Sequence, residues 1–497
     1  MRLSSTHAGP LLAKLAIVAV MSGATGLLTT GVLTGCGVPS EAEAQRVPPA
    51  LEAPVPATLD PRTDRLADAL AEESGPEAME AGALGGSLGT LEGEELLLGS
   101  DVALHDPSGA ALGAFHRALR RAALGEGQAR VVVYGASHVA GDFATGTLRR
   151  MLQQEFGDAG HGFVLPAQPW PHYRHLDITV ESNHRRWDAN RVRTGVRDVG
   201  QYGLAGVAVT SDSSGAFGRI STGERHASRF ELFYWRSPEG GSLEVRIDDR
   251  VVRRLPTRAA EAGPGYELFT VPDGPHSFEV RARGDGPVTL FGVAVEREVP
   301  GVVLDTLGIN GARAASQLLW DEALWREHLR RRAPDMVVLA YGTNESGDDD
   351  QPIETYEAEL RQVVARVRAA VPSASCMLIG PSDRPVANRD GTFAERPRTA
   401  MVVDVQRRVA ADTGCAFFDL VQFGGGPMHM VQWAALDPAW AQRDHVHFTI
   451  RGYERLGQVL HGSVLRGYDG PTALLRETAR GGGASTTAAS TATARVD

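Results

Sequence analysis

A serine, an aspartate and a histidine in this chain stand where acyl transfer would need them. Ser137 follows Arg130-Val131-Val132-Val133-Tyr134-Gly135-Ala136, a β-branched run that ends at a glycine. Downstream, Leu148, Met151, Leu152 and Phe156 recur at helical spacing, so the segment reads as strand, sharp turn, helix. A hydroxyl on such a turn lies at the carboxyl end of a strand, beside the unpaired N–H groups of a helix start. A nucleophile and oxyanion donors can share that loop. An isolated serine there would serve as a turn residue or helix cap, so the remaining chain must supply a base. Asp444 and His447 lie three apart in Asp444-His445-Val446-His447-Phe448-Thr449. The aspartate can hold one imidazole nitrogen while the other faces Ser137. The N–H groups of Ser137 and Gly311 and the side-chain amide of Asn344 are candidate oxyanion donors, and losing one such donor typically costs about 3 kcal/mol of barrier.

Each piece alone has a plainer role. Gly311 suits a tight turn, Asn344 an Asx turn or cap, and Asp444 and His447 a helix start. Asp142, just ahead of a helical segment, reads as an N-cap rather than a catalytic acid. His445 and His447 form an HxH pair with the spacing of metal ligands, but no third ligand is placed nearby in sequence, so no metal and no cofactor is expected. What favours the catalytic reading is that the pieces recur in order, each at a strand end or a helix start.

The elements that must position them alternate. A helix is expected over 112–123, a strand over 131–134 and a helix over 143–156. From 172 to about 298 the period changes to two, as in Leu176/Ile178/Val180, Leu243/Val245/Ile247 and Phe278/Val280, with turns at Pro238-Glu239-Gly240-Gly241, Asp273-Gly274 and Asp285-Gly286-Pro287. That stretch reads as an antiparallel β-sandwich. Alternation then returns: a strand at 302–305, helical segments around 315–329, a strand at 336–341, a helix at 353–371, a strand at 377–380, a helix at 398–413 and a strand at 416–420. Strands alternating with helices argue for a parallel sheet covered on both faces, with sites at the carboxyl ends of its strands. The fold class is therefore α/β, a three-layer α/β/α parallel sheet interrupted by an antiparallel β-sandwich.

Charge and leader segments bound the setting. The 497 residues carry a net charge of −11, and residues 37–107 alone hold fifteen acidic against three basic residues. The remainder is near neutral and has no basic stripe, which excludes nucleic acid as a partner. Residues 1–36 combine a thin positive start (Arg2, Lys14), a short apolar run (Leu15 to Met21) and the ending Leu33-Thr34-Gly35-Cys36. The run suits a secretory signal, and its ending resembles a bacterial lipobox, in which Cys36 would be lipidated and anchor the chain to a membrane of the envelope. By the same resemblance, Gly37 after it points to the outer membrane. Residues 37–107 read as an acidic tether, and 471–497, rich in Gly, Ser, Thr and Ala, as a disordered tail. Cys376 and Cys415 open two apolar runs. They can form a disulfide in an exported protein or remain inert buried thiols.

The segments Gly135-Ala136-Ser137-His138, Gly308-Ile309-Asn310-Gly311-Ala312, Gly342-Thr343-Asn344-Glu345 and Asp444-His445-Val446-His447-Phe448-Thr449 with Gly452-Tyr453 resemble the four sequence blocks of SGNH (GDSL-type) hydrolases. The resemblance implies Ser137 as nucleophile, Gly311 and Asn344 as oxyanion donors, and Asp444 with His447 as the last block. Ala136 stands where that family usually has aspartate. Val139 replaces the second glycine of a GxSxG elbow, which separates the chain from α/β-hydrolases. The domain order is then 108–171 hydrolase, 172–300 insert and 301–470 hydrolase. Within the family it is most similar to bacterial peptidoglycan O-acetylesterases, which carry a carbohydrate-binding-like sandwich at this point. Trp187, Tyr202, Phe217, Tyr234 and Trp235 of the insert are either ordinary core or part of a sugar-stacking face. The resemblance implies an envelope esterase acting on an acylated polysaccharide. An O-acetyltransferase would use the same triad, and a non-catalytic glycan-binding lipoprotein would not need it.

Overall fold

Residue-by-residue alternation splits the parallel sheet between two cores. In this computed structural model, residues 102–192 and 199–469 are described. The expectations for residues 1–36, including Cys36, for most of the acidic tether and for 471–497 lie outside them. Strands β1 (Gln128–Gly135), β13 (Gly301–Gly308), β14 (Met336–Ala340), β15 (Ser375–Ile379) and β18 (Ala416–Phe418) pair in the order β13-β1-β14-β15-β18. Every pairing is parallel. Val131, Val133, Val302, Leu304, Met336, Val338 and Met377 face one core with α1 (Gly113–Ala123), α3 (Phe143–Phe156) and α9 (Ile450–Val464). Val132, Tyr134, Val337, Leu339 and Leu378 face the other, with α4 (Glu322–Arg332), α5 (Ile353–Ala370) and α6 (Pro397–Thr413). This is the expected three-layer α/β/α arrangement, with strands apolar on both faces.

The insert is a two-sheet antiparallel sandwich. One sheet runs β3 (Thr179–Ser182), β6 (Phe217–Ser221), β11 (Ser277–Ala282), β8 (Ser242–Ile247), β9 (Arg250–Pro256). The other runs β10 (Gly263–Gly274), β7 (Ala227–Arg236), β12 (Val288–Glu296), β5 (Val207–Ser211), β4 (Asp188–Arg191), and β12 also pairs with β2 (Gly160–Val164), which lies ahead of residue 172. Phe230 stacks on Phe278 between the sheets at 5.2 Å. The insert's core is continuous with the core on one face of the parallel sheet. Its return strand is clamped there by charge: Glu296 holds Arg332 at 2.6 Å and Arg130 at 2.5 Å, and Arg332 also holds Asp305 at 2.8 Å.

Several boundaries moved for local reasons. The helical segments expected around 315–329 are a 3-10 turn, Ala314–Leu319, and α4, whose cap Asp321 accepts from Leu324 N at 2.8 Å. Asp177 adopts φ 70°, a turn conformation, so the strand expected from Leu176 begins at Thr179. Residues 102–107, read as the end of the tether, are fastened down: Val102 is buried, and His105 exchanges two backbone hydrogen bonds with Phe417, covering the sheet's edge. Cys376 on β15 and Cys415, the residue before β18, have Cα atoms 4.6 Å apart and are disulfide-bonded. Of the insert's aromatic residues, Trp187, Tyr202 and Tyr234 are buried core, Trp235 packs against that core, and Phe217 lies under the Arg281 guanidinium.

Candidate active site

Ser137 opens the four-residue helix α2 (Ser137–Ala140) directly after β1. That helix sits hard against β13. A Cβ on Gly308 would lie 2.2 Å from Ala140 N, so only glycine admits the approach. The helix N-terminus leaves the Ser137 N–H directed outward with no protein partner among the described residues. On the opposite side, Thr449 caps α9 and presents the loop ahead of it. In that loop Asp444 Oδ1 accepts from the N–H groups of Val446 and His447, each at 2.9 Å, which folds the loop back on its own aspartate. Asp444 Oδ2 then lies 2.6 Å from His447 Nδ1, and His447 Nε2 lies 2.8 Å from Ser137 Oγ. With the imidazole proton on Nδ1, Nε2 is the acceptor for the serine hydroxyl. Both side chains are only partly accessible, His447 at 16% and Asp444 at 14%, enough for a ligand to reach them from one side. Burial pushes the Asp444 carboxyl up, but the His447 bond and the two backbone N–H groups outweigh it, so it stays ionised below the usual carboxylate range.

Gly311 turns at φ 75°, a conformation that favours glycine, and its N–H has no protein acceptor among the described residues. Asn344 donates one amide hydrogen to Ala312 O at 2.9 Å, which joins its loop to that of Gly311 and leaves a second hydrogen on the same nitrogen. Thus Ser137, Asp444 and His447 are brought into one hydrogen-bonded chain, and Gly311 and Asn344 are tied together on neighbouring loops. The HxH pair does not converge on a metal. Both nitrogens of His447 are committed, and His445, at φ 55°, stacks on Phe393 with ring centres 4.3 Å apart.

Three supporting groups were not assigned from the sequence. Glu345 is buried and straps the loops of Gly311 and Asn344 together: Oε1 accepts from Ala314 N at 2.8 Å and Oε2 from Gly342 N at 2.9 Å. Burial raises its pKa. His138 lies behind His447, ring centres 5.4 Å apart. Its Nε2 is 2.9 Å from Ser382 Oγ, which itself donates to Val446 O, so Nε2 carries the proton and Nδ1 accepts from Tyr453 OH at 3.0 Å. Burial, reinforced by His447, pushes its pKa to about 3, so the ring is neutral and adds no charge beside the His447 imidazole. Asp142 corrects the expectation of an N-cap. It holds the cap position at φ 57° but makes no capping bond. Its fully buried carboxylate instead binds Arg149 at 2.8 Å, Thr145, Thr306 at 2.7 Å and the Leu176 N–H, pinning the nucleophile loop to β13 and α3. Of these, only the helical spacing of Asp142, Thr145 and Arg149 was a usable signal.

The sequence model of the GDSL-like lipase/acylhydrolase family matches residues 269–455, which hold Gly311, Asn344, Asp444 and His447. The serine segment lies outside the match, separated from the later segments by most of the insert. Among solved structures, a peptidoglycan O-acetylesterase is similar at 24% identity and TM-score 0.60, over 74% of this chain and 99% of that one. Family two carbohydrate esterases from Clostridium thermocellum, in complex with cellohexaose, and from Cellvibrio japonicus also match. The first has 10% identity and TM-score 0.27 over 52% of this chain and 95% of its own, the second 14% and 0.25 over 59% and 98%. These two share too little shape to bear on the fold. None of the curated protein sequences matches. The family match marks residues 269–455 as GDSL-like lipase/acylhydrolase sequence. In fold the chain resembles a peptidoglycan O-acetylesterase.

Proposed function

We propose that the protein is a serine esterase of the bacterial envelope that removes acyl groups, chiefly O-acetyl, from peptidoglycan or another polysaccharide. The observation that carries the catalytic part is the unbroken chain from Asp444 Oδ2 through His447 to Ser137 Oγ, at 2.6 and 2.8 Å. Ser137 Oγ attacks the acyl carbonyl carbon as its proton passes to His447 Nε2. The carbonyl oxygen takes the negative charge and is met by the N–H groups of Ser137 and Gly311 and the Asn344 amide. Collapse breaks the bond to the sugar oxygen, which takes the proton from His447 and leaves as alcohol. Water then attacks the acyl-serine with His447 as base, and the free acid departs. Asp444 keeps its charge throughout and steadies the imidazolium.

Three observations support the choice of substrate and place. The similar solved structure is a peptidoglycan O-acetylesterase. The first residues carry a signal-like run ending at a lipobox-like Cys36. The Cys376–Cys415 disulfide suits an oxidising compartment. In this reading the mature chain is anchored through lipid on Cys36 to an envelope membrane, with the acidic tether giving reach; no helix among the described residues is long and apolar enough to cross a membrane. The test is acetate release from O-acetylated envelope glycans by wild type and Ser137→Ala, with mass spectrometry of the trapped acyl-enzyme. An acetyl group on Ser137 and loss of release in the variant are expected. Undiminished release by Ser137→Ala would overturn the assignment, and transfer of acetyl to added glycan in place of water would recast the enzyme as a transferase.

A further inference from the structure

The loop after β15 carries a guanidinium whose carboxylate-binding edge is open. Ser382, two residues before Arg384, touches both His138 and the carbonyl of Val446, so this loop runs from between the Ser137 and His447 loops toward Arg384. Its Nη1 donates to the carbonyls of Thr343 and Asn344, at 3.0 and 3.3 Å, which places the group beside the Asn344 loop. The hairpin beginning two residues later, β16 (Val386–Ala387) and β17 (Phe393–Ala394), lays Phe393 on His445. Gly347 makes room for the guanidinium: a Cβ there would lie 2.3 Å from Nη1.

The other two nitrogens, Nε and Nη2, have no partner among the described residues, and neither is sealed from solvent. They form the side-on edge of the guanidinium, the fork that matches a carboxylate. The same edge is filled elsewhere in this protein: by Asp348 on Arg313, at 2.6 and 2.5 Å, and by Asp177 on Arg150, at 3.0 and 2.7 Å. The acids nearest Arg384 are already committed, Asp348 to Arg313 and Asp349 to Arg396. A purely structural arginine would use more of its fork. Arg368, which likewise has no carboxylate, places two nitrogens on the carbonyls of Ala374, Thr413 and Gly414. Burial and the Arg396 and Arg313 charges work against the charge of Arg384 and outweigh the support from Asp348 and Asp349, so an incoming anion would relieve part of that cost.

We propose that Arg384 binds a carboxylate of the substrate, so that the preferred substrate is an O-acylated glycan bearing a free carboxylate on the acylated sugar, as a uronic acid residue or a muramic acid residue freed of its peptide does. This rests on the esterase reading above. It adds a charge requirement that the triad does not impose, because a triad and oxyanion hole treat every acetyl ester alike.

The test uses the full chain and three probes: O-acetylated muramyl glycan strands freed of peptide, with lactyl carboxylates exposed; the same strands with those carboxylates converted to methylamides; and 4-nitrophenyl acetate. Wild type should prefer the free-carboxylate strands by about 10- to 100-fold in kcat/KM, the range expected of a charge-assisted bidentate contact. The preference should lie mainly in KM and shrink as salt rises. Arg384→Gln should bring the ratio between the two strands close to one, and Arg384→Lys should keep part of it. Gly347→Ala, which displaces the guanidinium without removing charge, should also lower the ratio. Equal rates on the two strands by wild type would overturn the proposal without any variant, and so would a ratio unchanged in folded Arg384→Gln. Retention of 4-nitrophenyl acetate hydrolysis by Ser137→Ala would instead sink the esterase reading, so the two failures are distinguishable.

Discussion

Asp444→Asn tests the site where its parts are most tightly coupled. The carboxylate does two separate jobs. Oδ1 accepts from two backbone N–H groups at 2.9 Å and shapes the loop, while Oδ2 accepts from the His447 Nδ1–H at 2.6 Å. An asparagine can keep the first job through its carbonyl oxygen, so the loop should hold. Its amide nitrogen then faces Nδ1, and two N–H donors cannot face each other. The ring must move its proton to Nε2, and Ser137 Oγ, 2.8 Å away, loses its acceptor. The wrong tautomer and the missing counter-charge together cost a serine hydrolase of this type about 10³- to 10⁴-fold in kcat, or about 4–5.5 kcal/mol of barrier. The assay is kcat on 4-nitrophenyl acetate together with the rate of fluorophosphonate labelling at Ser137, alongside a melting temperature within a few degrees of wild type. A folded Asp444→Asn protein within tenfold of wild-type kcat would refute the reasoning, because the aspartate would then be setting neither the tautomer nor the charge.

The other predictions concern the frame. Asp142→Asn leaves the buried Arg149 guanidinium, 1% exposed, with only the more distant Asp177 carboxylate at 3.9 Å, and urea unfolding should show a loss of about 3 kcal/mol. Replacing Cys376 and Cys415 by serine opens a loop of 39 residues and should cost about 3–4 kcal/mol, with reductant lowering the melting temperature of wild type but not of the variant. Burial holds His328 at about 3 and His175 and His429 at about 4, far below the unfolded value near 6.5. Below that value the unfolded chain binds more protons, so the stability these residues retain at neutral pH should be lost as pH falls from about 6.5 toward 4. Each contributes a slope of up to about 1.4 kcal/mol per pH unit, and urea midpoints that stay flat across that window would contradict it.

How far each feature was legible depended on how local its cause was. Strand β1, α3 from Phe143 to Phe156 and the period-two stretches of the insert follow from side-chain alternation along a few residues, and so were readable. Asp444 and His447 were readable as a pair because three residues of chain hold them together, and the turn at Gly311 because glycine enters a positive φ without strain. The break at Trp320-Asp321 and the turn at Asp177 were not, because the apolar pattern runs on through both.

The sequence by itself determined an α/β chain with a β insert, and which hydroxyl, imidazole and carboxylate were able to work together. The tertiary structure decided that Ser137 and His447, 310 residues apart, lie within one hydrogen bond. It also decided that Cys376 and Cys415 pair, that Asp142 is a buried anchor rather than a cap, that Glu345 straps two loops and that Arg384 keeps an open edge. The physical reason is range. Periodicity and turn chemistry are set by neighbours along the chain, whereas the charge partners of a buried acid or an arginine are set by whichever distant strand ends the sheet brings beside it.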